Sequence, residues 1–199
     1  MGKQVEDGFE TTHLENLKQF LYEAQLKGYG GEQYRGKIVS ELMDDRGTLK
    51  REYETGVTEY VYADGGFKII WKKGDFRFSD KWFGGEPFGG MTVVRYKGKT
   101  CFTMSYHGEL KDYATDPELV YSCLKEALMA VDPSLPIRGP GEYVKSGAMD
   151  RTVDLEYRRI LDGWLGKFSG SESIGVPLGE ILFEADFIGG LVNLRDPLA

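Results

Sequence analysis

Cysteine and histidine are scarce in this 199-residue chain, with two of each. Cys101 and Cys123 lie far apart and form no CxxC pair, which argues against a disulfide scaffold or a structural zinc site. Cys101 falls in an apolar strand pattern and Cys123 on an apolar helix stripe, so both read as small core residues. Free core thiols suit a reducing compartment, and a cytoplasmic location is expected. No apolar run reaches the ~18 residues of a membrane helix, so no membrane association is expected. The opening residues Met1–Glu6 carry no apolar h-region, which argues against a secretory signal. Gly2 is not a myristoylation site, because Glu6 stands where that motif wants Ser or Thr. Basic runs are short, the densest being Lys72-Lys73 and Arg158-Arg159. The formal net charge is −7. The pI is near 5.0. Such a surface repels phosphate backbones, and no direct nucleic-acid binding is expected.

Catalytic signatures are scarce too. The Gly-Gly pairs at 84–85 and 89–90 lack the Gly-Lys-Ser/Thr or GxGxxG context of a phosphate cradle. No serine has a GxSxG setting. Two histidines and scattered carboxylates give no metal-ligand spacing. No catalytic residue, metal or cofactor is therefore assigned.

What is present is a soluble-type composition, 41% hydrophobic and 29% charged, sufficient for a sizeable core. Residues 1–11 read as a polar lead-in, followed by one domain over 12–199. Thr12-His13-Leu14-Glu15 fits a capping box, and Leu14, Leu17, Phe20, Leu21 and Ala24 follow at helical spacing. Gly28 and Gly30-Gly31 end that helix. Residues 32–57 lack a clear period, with a turn at Asp44–Gly47 and a short strand at Leu49–Tyr53. From Thr58 the period becomes two, and turns at Asp64–Gly66, Lys73-Gly74 and Lys97-Gly98 punctuate an antiparallel meander to Tyr106. Thr115-Asp116-Pro117-Glu118 opens a second helix with the stripe Val120, Cys123, Leu124, Ala127, Leu128 and Val131. Asp132-Pro133 stops it. A rigid loop, Pro136–Gly141, precedes further strands at Leu155–Ile160, around Ser173 and at Glu180–Ile188.

The two strand regions repeat one another. Phe88-Gly89-Gly90 corresponds to Phe168-Ser169-Gly170, and Tyr106-His107-Gly108 to Phe187-Ile188-Gly189. Trp82 and Trp164 read as a further pair of anchors. The expected fold is α+β, with two similar helix-plus-antiparallel-sheet halves at about 12–112 and 113–199 that share a core. The glycines are expected at bulges or positive-φ turns, with the aromatics packed beside them.

The strings Phe83-Gly84-Gly85-Glu86-Pro87-Phe88-Gly89-Gly90, Met104-Ser105-Tyr106-His107-Gly108, Pro136-Ile137-Arg138-Gly139-Pro140, Phe168-Ser169-Gly170-Ser171-Glu172 and Phe187-Ile188-Gly189-Gly190-Leu191 resemble DUF5680, a bacterial domain family of unknown function. The resemblance runs from the first helix to about Leu194. Members of that family often follow an XRE-type helix-turn-helix domain and are labelled transcriptional regulators. There is no room for that domain before Thr12, so the DNA-binding label is not carried over. The family pattern has Glu after Phe-x-Gly-x, which this chain keeps at Glu172 and replaces by Thr92 in the first half. The resemblance implies no catalytic residues.

Seven residues are candidates for ligand contact: Trp82, Glu86, Tyr106, His107, Arg138, Trp164 and Glu172. His107 is a general base or ligand contact, or more simply a strand-end histidine bonded locally. Glu86 and Glu172 are an acid–base pair or, more simply, carboxylates that cap backbone N–H groups near glycine-rich bends. Arg138, on a rigid loop, grips an anion or, more simply, pairs with an internal carboxylate. Trp71, Trp82, Tyr106, Trp164 and Phe187 line a cavity or form core. If there is a pocket, it is expected near the seam of the halves, where Trp82, Tyr106, His107, Arg138 and Trp164 converge. The functional reading is a non-catalytic sensor or small-molecule-binding module. The alternatives are a protein-interaction or oligomerisation module, and an enzyme using His107 with a carboxylate.

Overall fold

The computed structural model describes residues 7–30, 32–149 and 153–192. Helix α1 (Asp7–Tyr29) and the one-turn α2 (Glu32–Arg35) precede seven strands: β1 (Ile38–Met43), β2 (Leu49–Tyr53), β3 (Thr58–Val61), β4 (Phe67–Lys73), β5 (Phe76–Phe83), β6 (Phe88–Tyr96) and β7 (Lys99–Leu110). Helix α3 (Pro117–Met129) follows, then β8 (Glu142–Met149), β9 (Val153–Trp164), β10 (Lys167–Gly175) and β11 (Ile181–Leu191).

Helix α3 follows from its sequence. Asp116 is the N-cap, its side chain accepting the Leu119 N–H at 3.0 Å, and Pro117 takes the first position. Its buried stripe is Val120, Cys123, Leu124, Ala127 and Leu128. Helix α1 departs from expectation. It begins at Asp7, so Thr12 is inside the helix and is not its cap. Residues 1–6 of the expected lead-in, and Gly31, lie outside the described residues.

All eleven strands form one antiparallel sheet, in the order β1-β2-β3-β4-β5-β6-β7-β11-β10-β9-β8. The strands of the two expected halves lie in one continuous sheet. β7 and β11 pair along their lengths, the strands run outward from that pair as β6-β5-β4 on one side and β10-β9-β8 on the other, and β1 to β3 extend the first side alone. That pairing satisfies two long strands that would otherwise present open edges. Tyr106 lies directly opposite Phe187, with Gly108 opposite Ala185 and Met104 opposite Gly189.

At four positions aromatic rings pack beside glycine as expected, but not in the expected bulges or positive-φ turns. Gly90 pairs with Tyr106 and Gly108 with Phe88, while Gly170 pairs with Phe187 and Gly189 with Phe168. None of the four has positive φ. Each seats the ring of its cross-strand partner where a Cβ would collide with it. The Trp82–Trp164 anchor also fails: register sets Trp82 opposite Gly90, whereas Leu161 is opposite Gly170.

Both helices pack on one face of the sheet, α1 against β4 and β5 and α3 against β8 to β10, and they touch each other. Phe20 of α1 stacks on Trp71 at 5.2 Å and on Phe76 at 4.9 Å. One core cluster lies under α1 and a second under α3.

Candidate functional site

Between the end of α1, helix α3 and strands β4 to β7 lies a cleft of about 610 Å³. Alternation puts Phe67, Trp82, Phe88 and Tyr106 on the helix-bearing face, and four of the cleft's walls are these rings. Phe67 stacks on Trp82 at 5.3 Å between centroids, the two being direct cross-strand partners. Tyr121 of α3 closes the opposite side, 6.1 Å from Phe88. Its hydroxyl donates to the Glu86 carboxylate at the rim. Glu86 also accepts the Leu110 N–H at 2.6 Å, the capping role expected of it.

The floor is a buried polar cluster. Tyr106 Oη donates toward both oxygens of Asp80, at 3.0 and 3.1 Å. Thr92 donates to Asp80 at 2.8 Å and Tyr29 at 3.3 Å. Asp80 is 1% exposed. Burial pushes its carboxyl above the usual range, only partly offset by those hydroxyls and by Arg138. Burial and Asp80 together drive the Tyr106 and Tyr29 hydroxyls well up, so both are neutral donors at physiological pH.

Arg138 reaches the floor from the Pro136–Gly141 loop, in a left-handed backbone conformation with φ of 58°. Its guanidinium lies 5.0 Å from the Tyr106 ring centroid and is held by Glu172. Glu172 in turn accepts from Tyr157 Oη at 2.9 Å, and the same hydroxyl accepts the Gly139 N–H at 3.1 Å. Gln25 of α1 ties the loop down by donating to the Pro136 carbonyl at 2.7 Å. The loop is thus clamped from α1, β9 and β10.

Of the residues expected to converge, the structure brings together Trp82, Tyr106 and Arg138. Glu86 sits at the rim, and Glu172 lies behind Arg138. His107 and Trp164 are elsewhere, which corrects the expected seam site. His107 is exposed on the opposite face, where it lines a shallow concavity with Ser105, Asp186 and Ile188. Trp164 ends β9, 56% exposed. His107 faces away from buried Glu172, and Glu86 is engaged by Tyr121 and Leu110, so neither carboxylate serves it as a partner. Asp80, Tyr29 and Tyr121 escaped the sequence reading. Asp80 left one signal: it interrupts the inward series Phe76, Phe78, Trp82 with a carboxylate.

The arrangement offers flat apolar walls and, at the floor, one guanidinium face and two tyrosine hydroxyl oxygens that can accept, their protons being committed to Asp80. Among the described residues, no three His, Cys, Asp or Glu side chains cluster to hold a metal ion. No described helix is long and apolar enough to cross a membrane.

No curated protein and no solved structure matches the chain significantly. The sequence pattern of DUF5680, a domain of unknown function, matches residues 80–192, from the Asp80 of the cleft floor through the end of β11. That span covers more than half of the sequence and contains Trp82, Tyr106, Arg138 and Glu172, and on this match the chain belongs to the DUF5680 family.

Proposed function

We propose that this protein is a non-catalytic small-molecule-binding module, acting as a sensor, whose ligand occupies the cleft between α1, α3 and β4–β7. One observation carries the reading: a 610 Å³ concavity walled by aromatic rings opens onto a floor of fixed, buried polar groups. Concave, mainly apolar sites with a few placed polar groups are the usual form of ligand pockets. The ligand is planar and largely apolar, with a hydrogen-bond donor directed at the tyrosine hydroxyl oxygens of the floor. The test is thermal shift of the purified chain against a metabolite panel, repeated with Trp82→Ala. A ligand at a hundred times its Kd stabilises the fold by about 2.7 kcal/mol. A dose-dependent rise in Tm that is lost in folded Trp82→Ala supports the reading. A rise that survives this substitution puts the ligand elsewhere and overturns it.

The offsets between the halves support an origin by duplication, since the Tyr106–Phe187 pair sits on a local two-fold of the register. The two free cysteines support a cytoplasmic setting.

A protein-interaction role has one observation in its favour. The edge strand β1 exposes Ile38, Val39, Leu42 and Met43. Apolar edge strands invite pairing with another chain. Sedimentation of the wild type against Val39→Lys/Leu42→Lys tests it: self-association lost in the variant supports the role, and a monomer at high concentration in both counts against self-pairing.

A further inference from the structure

The face of the sheet turned away from α1 and α3 is open among the described residues. Alternation sends Ile69, Trp71, Phe78 and Asp80 toward the helices, so their neighbours point the other way. On β4 to β6 those neighbours include Lys68, Lys72, Arg77, Lys81 and Arg95. The register sets Lys68 directly opposite Lys81, Lys72 opposite Arg77, and Arg77 opposite Arg95. Like charges in direct cross-strand opposition are destabilising. None of the five joins an ion pair among the described residues. Burial, together with the charges of Arg77, Lys81 and Arg95, holds the Lys68 ammonium below its ordinary value. A chain with a net charge of −7 thus concentrates unneutralised cations on one small area.

Aromatic rings border that area. Tyr60 is the cross-strand partner of Lys68 and lies 6.3 Å from Tyr62 in a stacked pair. Lys81 Nζ sits 4.8 Å from the Tyr62 centroid and 4.3 Å from that of Phe83, so the ammonium lies against one face of each ring and ties the rings to the cationic area. Phe83 is 47% exposed.

We propose that this face binds single-stranded nucleic acid, with phosphates on Lys68, Arg77, Lys81 and Arg95 and bases stacked on Tyr60, Tyr62 and Phe83. A positively charged groove bordered by aromatic rings is the recurring form of such sites. The cationic area spans about 13 Å along β4 and about 10 Å from β4 to β6, enough for a few nucleotides. The other half of the open face carries Glu109, Asp162, Glu184 and Asp186, which confines the positive potential to β4–β6. The rings favour a nucleic acid over an acidic peptide, which has no planar bases to stack. The proposal departs from the expectation drawn from linear charge. The cations are scattered over residues 68–95, and only strand register assembles them. The inference does not rest on the cleft, which lies on the other face.

The test is fluorescence anisotropy of the full chain with a labelled oligo-dT of about 12 nucleotides, from about 25 to about 200 mM salt. Binding is expected with a log–log salt slope of about −3, for four phosphates at ~0.7 each. Lys81→Glu/Arg95→Glu should weaken binding at least tenfold and reduce that slope by roughly 1.4. Tyr60→Ala/Phe83→Ala should weaken it by about tenfold with the slope unchanged. Trp82→Ala, in the cleft, should leave it unaltered. Thermal melting verifies that each variant is folded. Absence of binding at the lowest salt overturns the proposal, as does equal binding by the charge-reversed variant. A poly-Glu peptide that binds as tightly, with Tyr60→Ala/Phe83→Ala indifferent, overturns it in favour of an acidic protein partner.

Discussion

Arg138 and Glu172 form an ion pair from which solvent is excluded, with side chains 3% and 0% exposed. Glu172 Oε2 also accepts from Arg138 Nε at 3.2 Å and from Tyr157 Oη at 2.9 Å. Two charges out of water contribute little as a pair, but either one left alone is severely destabilising. Glu172→Ala and Arg138→Ala should each lose about 3–5 kcal/mol in urea unfolding. The double variant Arg138→Leu/Glu172→Leu should lose less than either alone, because no uncompensated charge remains. Single losses below about 1 kcal/mol would show that water reaches the pair. Because Glu172 occupies this guanidinium, Arg138→Ala cannot probe the cleft without disturbing the fold, and Trp82 is the better probe.

Much of the fold was legible because its signals are local. The α3 cap at Asp116-Pro117, its apolar stripe, and the period-two meander from Thr58 each lie within a few residues. The start of α1 was not, since Thr12 forms a plausible cap only if the Asp7–Thr11 segment stays unwound. Site geometry was harder, because cross-strand register joins residues far apart in sequence, such as Asp80 with Thr92 and Tyr106. The misplacement of His107 had a visible remedy. Tyr106 and His107 are neighbours in one strand and therefore point to opposite faces.

The four glycine–aromatic pairs make steric predictions. A Cβ at Gly90 would lie 2.5 Å from the Tyr106 ring and 2.7 Å from the Lys81 carbonyl. At Gly170 it would lie 2.3 Å from the Ile160 carbonyl and 2.6 Å from the Phe187 ring. Backbone carbonyls within a sheet cannot retreat without breaking the ladder, so Gly90→Ala and Gly170→Ala should each lose about 3 kcal/mol, the upper end for overpacking. Gly141→Ala is the control: nothing lies within 4 Å of its Cβ position, and its stability should stay within about 0.5 kcal/mol of wild type. Urea midpoints decide the matter. A neutral Gly90→Ala would mean that Tyr106 can swing off Gly90, and with it the floor of the cleft.

Two carboxylates should bend the pH dependence of stability in opposite directions. Burial alone pushes Glu126 up, but the Lys145 ammonium and the Tyr143 hydroxyl, which donates at 2.9 Å, outweigh it and leave the carboxyl below its ordinary 4.5. Its contribution is therefore present above pH 4.5 and is lost as pH falls through the lower folded value. Asp80 has the reverse sign. Its folded pKa is raised above 3.8, so the folded state binds the proton more tightly, and stability is lost as pH rises from 3.8 through the folded value. Acidification thus relieves Asp80 while it removes the support of Glu126. Relative to wild type, Glu126→Gln should flatten the loss of stability below pH 4.5, and Asp80→Asn should steepen it. Urea midpoints between about pH 3 and pH 7 measure both slopes, and comparing slopes cancels any constant loss from the substitution itself. If Asp80→Asn flattened the acid limb as Glu126→Gln does, the three hydroxyls around Asp80 would outweigh its burial, and the cleft floor would carry a fixed negative charge.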